Sequence, residues 1–503
     1  MTGVTMDHTS LAPLDAGEPY DVCIVGSGPA GTLLGSSLAQ RGARVLMLES
    51  GCGLIDWLTD RRIRSLARYD FTGDTDYPRS RTTSRLLGGN SNFWTGRCER
   101  FHPSDFEPHP YTPADNPWPI TYTDLDAYYD RAEQLFRVRG GPRTVFSPPR
   151  KGPLPLPPRP DISFLKGLGR QLGVEFEESA TATPTKTLRI FNVQKEILPA
   201  FFASGQNVLV TGATVTRLLA GTGGCITGAE VKAVDGTMRI ARARLFVVSC
   251  GGIESPRLLL LSSSEQFPNG VGNAHDMVGR GFNEHPNVSF DATISHSWGT
   301  VTPTNKVART HQFYSVFRRE GLGSIYPVMR QAWVLPNHIA TFKAADLPRR
   351  MGAALSRVVR APLFVGAGIE MKISLANRVT LSRAHVDRFG NPIAHLIMNY
   401  SEEDCRLLER GRDLLRDWLR RLGARGVHEL EVAWSRHHQG ACRMGRSPAT
   451  SVVDADLRVH GTSNLYVCGS EVFVTGGAMQ PSLTIVALAL RLADHLHVRL
   501  PCA

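Results

Sequence analysis

Six residues near the start of the 503-residue chain have the types and spacing that grip a pyrophosphate. Gly26-Ser27-Gly28-Pro29-Ala30-Gly31 follows an apolar run and opens a helical pattern. In such a GxGxxG turn the first glycine permits the tight bend, and the second lets backbone approach a ligand. The third lets helix and strand close on each other. The helix start behind them offers unpaired N–H groups and the positive end of a dipole. Glu49, eighteen residues beyond Gly31, can accept hydrogen bonds from an adenosine ribose. An acid there suits an unphosphorylated ribose, hence NAD or FAD rather than NADP. No second GxGxxG follows for a nicotinamide. A single tightly held FAD, reduced and then reoxidised by a small acceptor, needs only one.

The elements that must position these residues are legible around them. DVCIVG, from Asp21, reads as a buried strand, TLLGSSLAQRG as a helix ending at Gly42, and ARVLMLE as a second strand. Together they form a βαβ unit, whose right-handed crossover sets the helix N-terminus beside the end of the first strand. Residues 50–115 suit long loops over a site. LDAYYDRAEQLF (125–136) reads as a helix, and proline-rich PPRKGPLPLPPRP (148–160) as a connector. FNVQKEILPAFFASG is a further helix candidate, followed by strands in NVLVTGATVTRLL and ARLFVVSCGG (243–252). From 285 to 430, alternating pieces such as NRVTLSRAHVDRFGNPIAHLIMNY favour a mixed or antiparallel sheet, closed by an amphipathic helix at 402–423. A strand at NLYVCG and a helix at TIVALALRLADHL end the pattern.

Hydrophobic residues make up 42% and charged residues 20%, which rules out a disordered chain. The formal charge of +11 comes from 57 basic and 46 acidic residues. Arginine clusters at Arg61, Arg62 and Arg64, at Arg349 and Arg350, and at Arg420 and Arg421 read as solvated faces. No zinc finger, RNP-type strand or basic tail accompanies them, so the sequence argues against nucleic acid. Nine scattered cysteines without a CxxC pair read as reduced thiols in a cytoplasmic protein. The polar N-terminus lacks the pattern of a secretion signal, and no stretch reads as a membrane span. No metal-ligand cluster is expected.

Four longer segments carry a resemblance. They are DVCIVGSGPAG…LMLESG, RTTSRLLGGNSNFWTGRCERFHPSDFE, VSCGGIESPRLLLLS, and HHQGACRMG…VVDADLRVHGTSNLYVCGSEVFVTGGAMQPSLTIVALALRLADHL. In this order they resemble the glucose–methanol–choline (GMC) family of FAD-dependent oxidoreductases, nearest to its bacterial sugar-oxidising, pyranose-oxidase-related members. The resemblance implies an α/β, Rossmann-like FAD-binding domain assembled from residues 15–150, 191–284 and 431–503. Residues 285–430 form an α+β substrate domain on a mixed or antiparallel sheet, and 151–190 act as a connector contributing to it.

Family members oxidise an alcohol to an aldehyde or ketone, a histidine taking the hydroxyl proton while hydride passes to flavin N5. That histidine stands in H-x-x-G-[TA]-x-x-M, which here places it at His437, ahead of Gly440, Ala441 and Met444, with His438 turned elsewhere. An imidazole suits the task because its ordinary pKa lies near working pH. The second family position, Asn or His before P-[ST]-L-T, is Gln480, whose extra methylene displaces the amide and puts the substrate geometry in question. Pro481, Ser482 and Leu483 open a helix whose positive end would face the flavin. Gly89, Asn90, Ser91 and Asn92 correspond to the flavin-facing loop, Val215 to the adenine contact, and Gly469 and Ser470 to the turn that brings the last strand against FAD. Phe93 stands where some relatives attach flavin through a histidine, so non-covalent FAD is implied. His285-Pro286, Glu370 and Asn377-Arg378 fall at recognisable family positions, Glu370 reading as a structural acid. Asp456 and Arg458 are expected to support each other.

The leading expectation is an oxidase or dehydrogenase acting on an alcohol group of a sugar, glycoside or aminocyclitol. One alternative is a primary alcohol of an aminoglycoside precursor or a choline-like small alcohol. Another is a non-catalytic FAD-binding scaffold. Oxygen, a quinone or another carrier takes the electrons, and the oligomeric state is left open.

Overall fold

Strand Tyr20–Val25, rich in β-branched and apolar residues, lies at the centre of a five-stranded parallel sheet. The structure, a computed structural model, describes residues 11–15, 18–78, 82–158, 162–185, 191–294, 306–331 and 361–500. From edge to edge the strands are Leu465–Val467, Ala243–Val248, Tyr20–Val25, Val45–Glu49 and Val208–Thr211. Val22 pairs with Val45 on one side and with Leu245 on the other. Segments hundreds of residues apart therefore supply one Rossmann-like sheet, as the discontinuous pattern predicted.

Helix Pro29–Ala39 packs against the C-terminal helix Ser482–His497, and that helix packs against Tyr122–Leu135. Tyr129 and Thr484 share a hydrogen bond of 2.8 Å at the second contact. The Tyr122–Leu135 helix starts three residues before the expected 125, because Thr121 and Asp124 form a capping box. The single helix expected over 191–205 is instead two, Val193–Glu196 and Leu198–Phe201. Pro199 has no N–H to continue the first ladder, and it seeds the first turn of the second.

The second sheet has six strands, in the order Arg425–Trp434, Pro286–Ile294, Ala361–Ile369, Ile325–Gln331, Lys306–Arg309 and Glu177–Glu178. Every pairing in it is antiparallel. Helices Ser163–Leu172 and Glu402–Arg421 bury Phe164, Leu168, Leu407, Leu415 and Trp418 with Val288, Phe290 and Val365 from the strands. Ser401 and Asp404 cap the long helix reciprocally. On its solvent face Arg412 and Arg416 pair with Glu409 and Glu429, and Arg420 pairs with Asp417. That cluster is a solvated helix face; Arg349 and Arg350 lie outside the described residues.

A small third sheet joins Tyr69–Thr72 to the hairpin Arg378–Val386 and Pro392–Ile397. Its turn reaches toward the nucleotide side, where Asp387 pairs with Arg257 of helix Gly251–Leu261 at 2.6 Å. Part of the 285–430 segment is thus tied to the Rossmann side, and the six-stranded sheet runs past 430 to Trp434. These are long-range pairings that periodicity does not reveal. The eight cysteines among the described residues are free thiols. No described helix is long and apolar enough to cross a membrane.

One buried cation ties the loops to this frame. Arg100 is 1% exposed and donates to both Glu133 oxygens at 2.8 Å, to Asp130 at 2.6 Å and to Asp126 at 2.9 Å. All three acids project from one face of helix Tyr122–Leu135, at i, i+4 and i+7. Removing one partner of a buried ion pair leaves an uncompensated charge, so Arg100→Leu is expected to cost about 3–5 kcal/mol. Chemical denaturation of the variant beside the parent checks this; an unchanged midpoint would contradict it.

Candidate active site

A cavity of ≈ 700 Å³ lies outside the carboxyl ends of the parallel strands, the place where open α/β sheets bind ligands. Val25 and Gly26, Leu48 and Glu49, Ser249 and Cys250, and Cys468 and Gly469 bring four strand ends to its wall. Gly26 has φ +104°, and a Cβ there would lie 2.4 Å from the Ser249 carbonyl oxygen. A Cβ on Gly31 would lie 2.0 Å from the Gly26 carbonyl oxygen, so this residue serves packing and does not line the cavity. A Cβ on Gly28 would meet nothing within 4 Å, because it would project into the cavity. The helix that follows has no side-chain cap, which leaves its first N–H groups for a ligand.

Glu49 is turned inward. Its Oε2 accepts from the Ser27 N–H at 3.0 Å and the Ser27 hydroxyl at 2.6 Å, and its Oε1 accepts from Gly51 N–H at 2.8 Å. A carboxylate has lone pairs beyond these three bonds for a ribose hydroxyl. Ser27 Oγ in turn accepts from Gly88 N–H at 3.2 Å, joining the glycine turn to the loop that carries Gly89–Asn92.

In that loop Gly89, Asn90 and Ser91 line the cavity, while Asn92 does not. The side chains brace the loop. Asn90 Oδ1 accepts from the Ser84 N–H and hydroxyl at 3.1 and 2.6 Å, and Ser91 donates to Gly88 O at 2.6 Å. Asn92 donates to Leu87 O and Gly89 O and accepts from Asn192 at 2.6 Å. Phe93 is 47% exposed at the cavity wall. Val215, Gly469, Ser470, Pro481 and Ser482 line the same space, whereas Leu483 is buried in the core behind it.

His437 and Gln480 both reach the cavity. His437 is placed by backbone pairing: Asn283 and Gln439 form an antiparallel bridge, so two residues outward on each side His285 stands opposite His437. The two Nδ1 atoms are 2.9 Å apart, with the rings nearly perpendicular at 88°. Burial, His285, His438 and the Arg309 guanidinium hold His437 well below the ordinary histidine range. His438 turns the other way, 2.5 Å from the Tyr77 hydroxyl and stacked on Phe282. Gly252 permits this, since a Cβ on it would fall 2.6 Å from His438 Cβ.

The hydrogen-bond network orients the Gln480 amide. Its nitrogen donates to Glu99 Oε2 at 2.8 Å, and its oxygen accepts from both Arg309 Nη atoms at 3.2 Å. One amide N–H remains for a substrate oxygen. Sequence reading misses Glu99 and Arg309, a loop residue and a strand residue that no spacing links, and passes over Gln439, which gains a partner only when folding sets His285 beside it. Its pairing of Asp456 with Arg458 is corrected: Arg458 pairs with Asp454 at 3.3 Å and Asp456 with Arg491 at 2.9 Å. The turn at Leu457, in the left-handed region, points the two acids apart. Glu370 accepts from Ser324 N–H at 2.8 Å and is fully buried, and Asn377 bonds Asn399. Among the described residues no His, Cys, Asp or Glu group could hold a metal ion.

The glycines separate cofactor binding from folding. Gly28→Val is expected to leave a folded protein with little FAD, and Gly31→Val to lose the fold, because only the second collides with backbone. Thermal unfolding followed by circular dichroism, with FAD content of the purified protein, checks both. A Gly28→Val protein saturated with FAD would contradict the assignment of the cradle.

Comparison with known proteins agrees with this geometry. Residues 19–53 match an FAD binding domain, and residues 170–287 and 374–489 match GMC oxidoreductase. The chain is 30% identical to 6'''-hydroxyparomomycin C oxidase of Streptomyces lividus over 97% of this chain and 93% of that protein. It is 29% identical to paromamine 6'-oxidase of Streptomyces fradiae, over 95% and 91%. The solved structure of pyridoxine 4-oxidase from Mesorbium loti shares the fold, with a TM-score of 0.65 at 21% identity, covering 95% of this chain and 99% of that one. With glycine turn, sheet and sequence all agreeing over nearly its whole length, the chain belongs to the GMC oxidoreductase family and is an FAD-dependent oxidoreductase.

Proposed function

We propose that the protein oxidises a hydroxyl group of a sugar, glycoside or aminocyclitol to a ketone or aldehyde, with His437 as the base. One observation carries this reading: a neutral His437 stands at the wall of the FAD cavity, held by His285 on the side away from it. The cavity residues fit FAD, with Gly28 and the uncapped helix start for the pyrophosphate, Glu49 for the ribose and Val215 near the adenine. The Gly89–Ser91 backbone and the N-terminus at Pro481 and Ser482 would face the ring. FAD, when bound, supplies the two-electron acceptor for the hydride that leaves the alcohol carbon. His437 takes the hydroxyl proton, and the free Gln480 N–H orients the substrate oxygen. Arg309 holds Gln480 in place, and burial, with the two neighbouring imidazoles and then Arg309, keeps His437 unprotonated.

Phe93 offers no nucleophile, which supports non-covalent FAD; acid precipitation should release the flavin into the supernatant. The names of the two relatives point to hydroxylated amino sugars. Here Arg97 and Arg436 line the cavity and Arg309 stands behind Gln480 with one acid, Glu99, at its other end; burial, then Arg309, brings Arg97 down to about 10 against the pull of Glu99. Like charge at short range in a protein costs on the order of several kcal/mol. A neutral hydroxylated ring is therefore favoured over a polycationic one. The same site would accept a primary hydroxyl on such a ring, and oxygen, a quinone or another carrier would reoxidise the flavin.

Anaerobic bleaching of the flavin against neutral sugars, glycosides, aminocyclitols and simple alcohols tests the reading. Bleaching by none of the ring-bearing alcohols would overturn it. His437→Ala is expected to keep FAD bound and slow bleaching about 10²–10⁴-fold; an unchanged rate removes His437 as base. Because its pKa is depressed, His437 stays neutral and active above pH 6.5, and the rate should fall only at lower pH.

A further inference from the structure

We propose that Gln439 is a positioning residue for His437, acting through His285 to decide which ring nitrogen of His437 offers a lone pair to the cavity. This rests on His437 being the base. The three side chains form one chain: Gln439 Nε2 lies 2.8 Å from His285 Nε2, and His285 Nδ1 lies 2.9 Å from His437 Nδ1. His437 Nε2 has no hydrogen-bond partner among the described residues, and the ring lines the cavity. Gln439 is fully buried, and with its nitrogen toward His285 its Oε1 has no partner among the described residues. The amide is boxed in, since a Cβ on Gly476 would fall 2.3 Å from its nitrogen.

A neutral imidazole carries one proton, so one nitrogen donates and the other accepts. Both rings here are neutral: burial brings His285 down to about 4, and His437 lies well below the ordinary range. Their tautomers are therefore coupled. With the amide N–H toward His285, the His285 proton sits on Nδ1 and is donated to His437 Nδ1. The His437 proton is then on Nε2, facing the cavity, and no lone pair is left for a hydroxyl proton. With the amide oxygen toward His285, the order reverses. His285 Nε2–H donates to Gln439 Oε1, His437 Nδ1–H donates to His285 Nδ1, and His437 Nε2 is bare. The second arrangement is the competent one, because only it leaves a lone pair on His437 Nε2.

When His437 Nε2 gains the hydroxyl proton, both hydrogen bonds persist and no proton moves along the chain. The new positive charge faces His285, His438, Arg309 and its neighbour Arg436. Glu370 lies beyond His285, and Glu284, which burial pushes up to about 8, accepts the His285 backbone N–H.

The experiment compares Gln439→Leu with Gln439→Glu as FAD-loaded enzymes, reading anaerobic flavin reduction against pH. Leu cannot accept, and the expected loss in the limiting reduction rate is about 10- to 100-fold, with KM little changed, as for other groups that orient a functional histidine. Glu accepts only, so it should restore most of the rate and move the acid limb to higher pH by stabilising the His437 cation. Equal loss in both variants, or a wild-type rate and pH profile in Gln439→Leu, overturns the proposal. His437→Ala is run beside them: an unchanged rate there refutes the base itself, whereas a slow His437→Ala with a normal Gln439→Leu refutes only the relay. Should Gln439→Leu fail to fold, nitrogen NMR of histidine-labelled wild-type protein decides. A protonated Nδ1 and bare Nε2 on His437 support the relay, and the opposite tautomer overturns it.

Discussion

Everything in this site depends on backbone meeting backbone at the carboxyl edge of the parallel sheet. Gly31 closes on the Gly26 carbonyl, Gly26 on Ser249, and Gly252 on His438, each at distances a Cβ would forbid. Side chains there would hold the strand ends, the helix starts and the His437–Gln439 segment apart. Close approach leaves the helix N-termini at Pro29 and Ser482 aimed into one cavity, without side-chain caps to occupy their N–H groups. The same constraint explains how three distant stretches of sequence build one dinucleotide cradle.

Around that edge the electrostatics are arranged by burial. Two imidazoles pressed together in a desolvated pocket both have their pKa lowered, which favours the neutral rings. The neighbouring cations add to the effect on His437, and Arg309 links it to Gln480 and Glu99. The family's shorter Asn or His at position 480 is replaced here by a longer amide anchored at both ends. An anchored Gln480 loses freedom that its extra methylene would otherwise allow, so the substitution need not loosen the site.

Ser27 shows how binding and positioning are joined. Its hydroxyl donates to Glu49 and accepts from Gly88, so the acid at the end of the second strand, the glycine turn and the Gly89–Asn92 loop share one hydrogen-bonded group. The braced side chains of Asn90, Ser91 and Asn92 hold that loop shaped where it meets the cavity.

The sequence by itself determined what local pattern can encode. GxGxxG between strand and helix, the acid at Glu49, the amphipathic period of Glu402–Arg421 and the HHQGA register of His437 depend on neighbours a few residues away. Chain-long motif order extended this to the family, its cofactor and the pairing of a Rossmann-like sheet with a second, antiparallel one. Tertiary structure decided the rest, because hydrogen bonds between strands carry no sequence period. Only folding sets His285 opposite His437 through the Asn283–Gln439 bridge, brings Glu99 and Arg309 to the two ends of Gln480, and ties Asp387 to Arg257. Sequence singles out His437; its partner His285 lies 152 residues away, and only packing brings the two rings within hydrogen-bond reach.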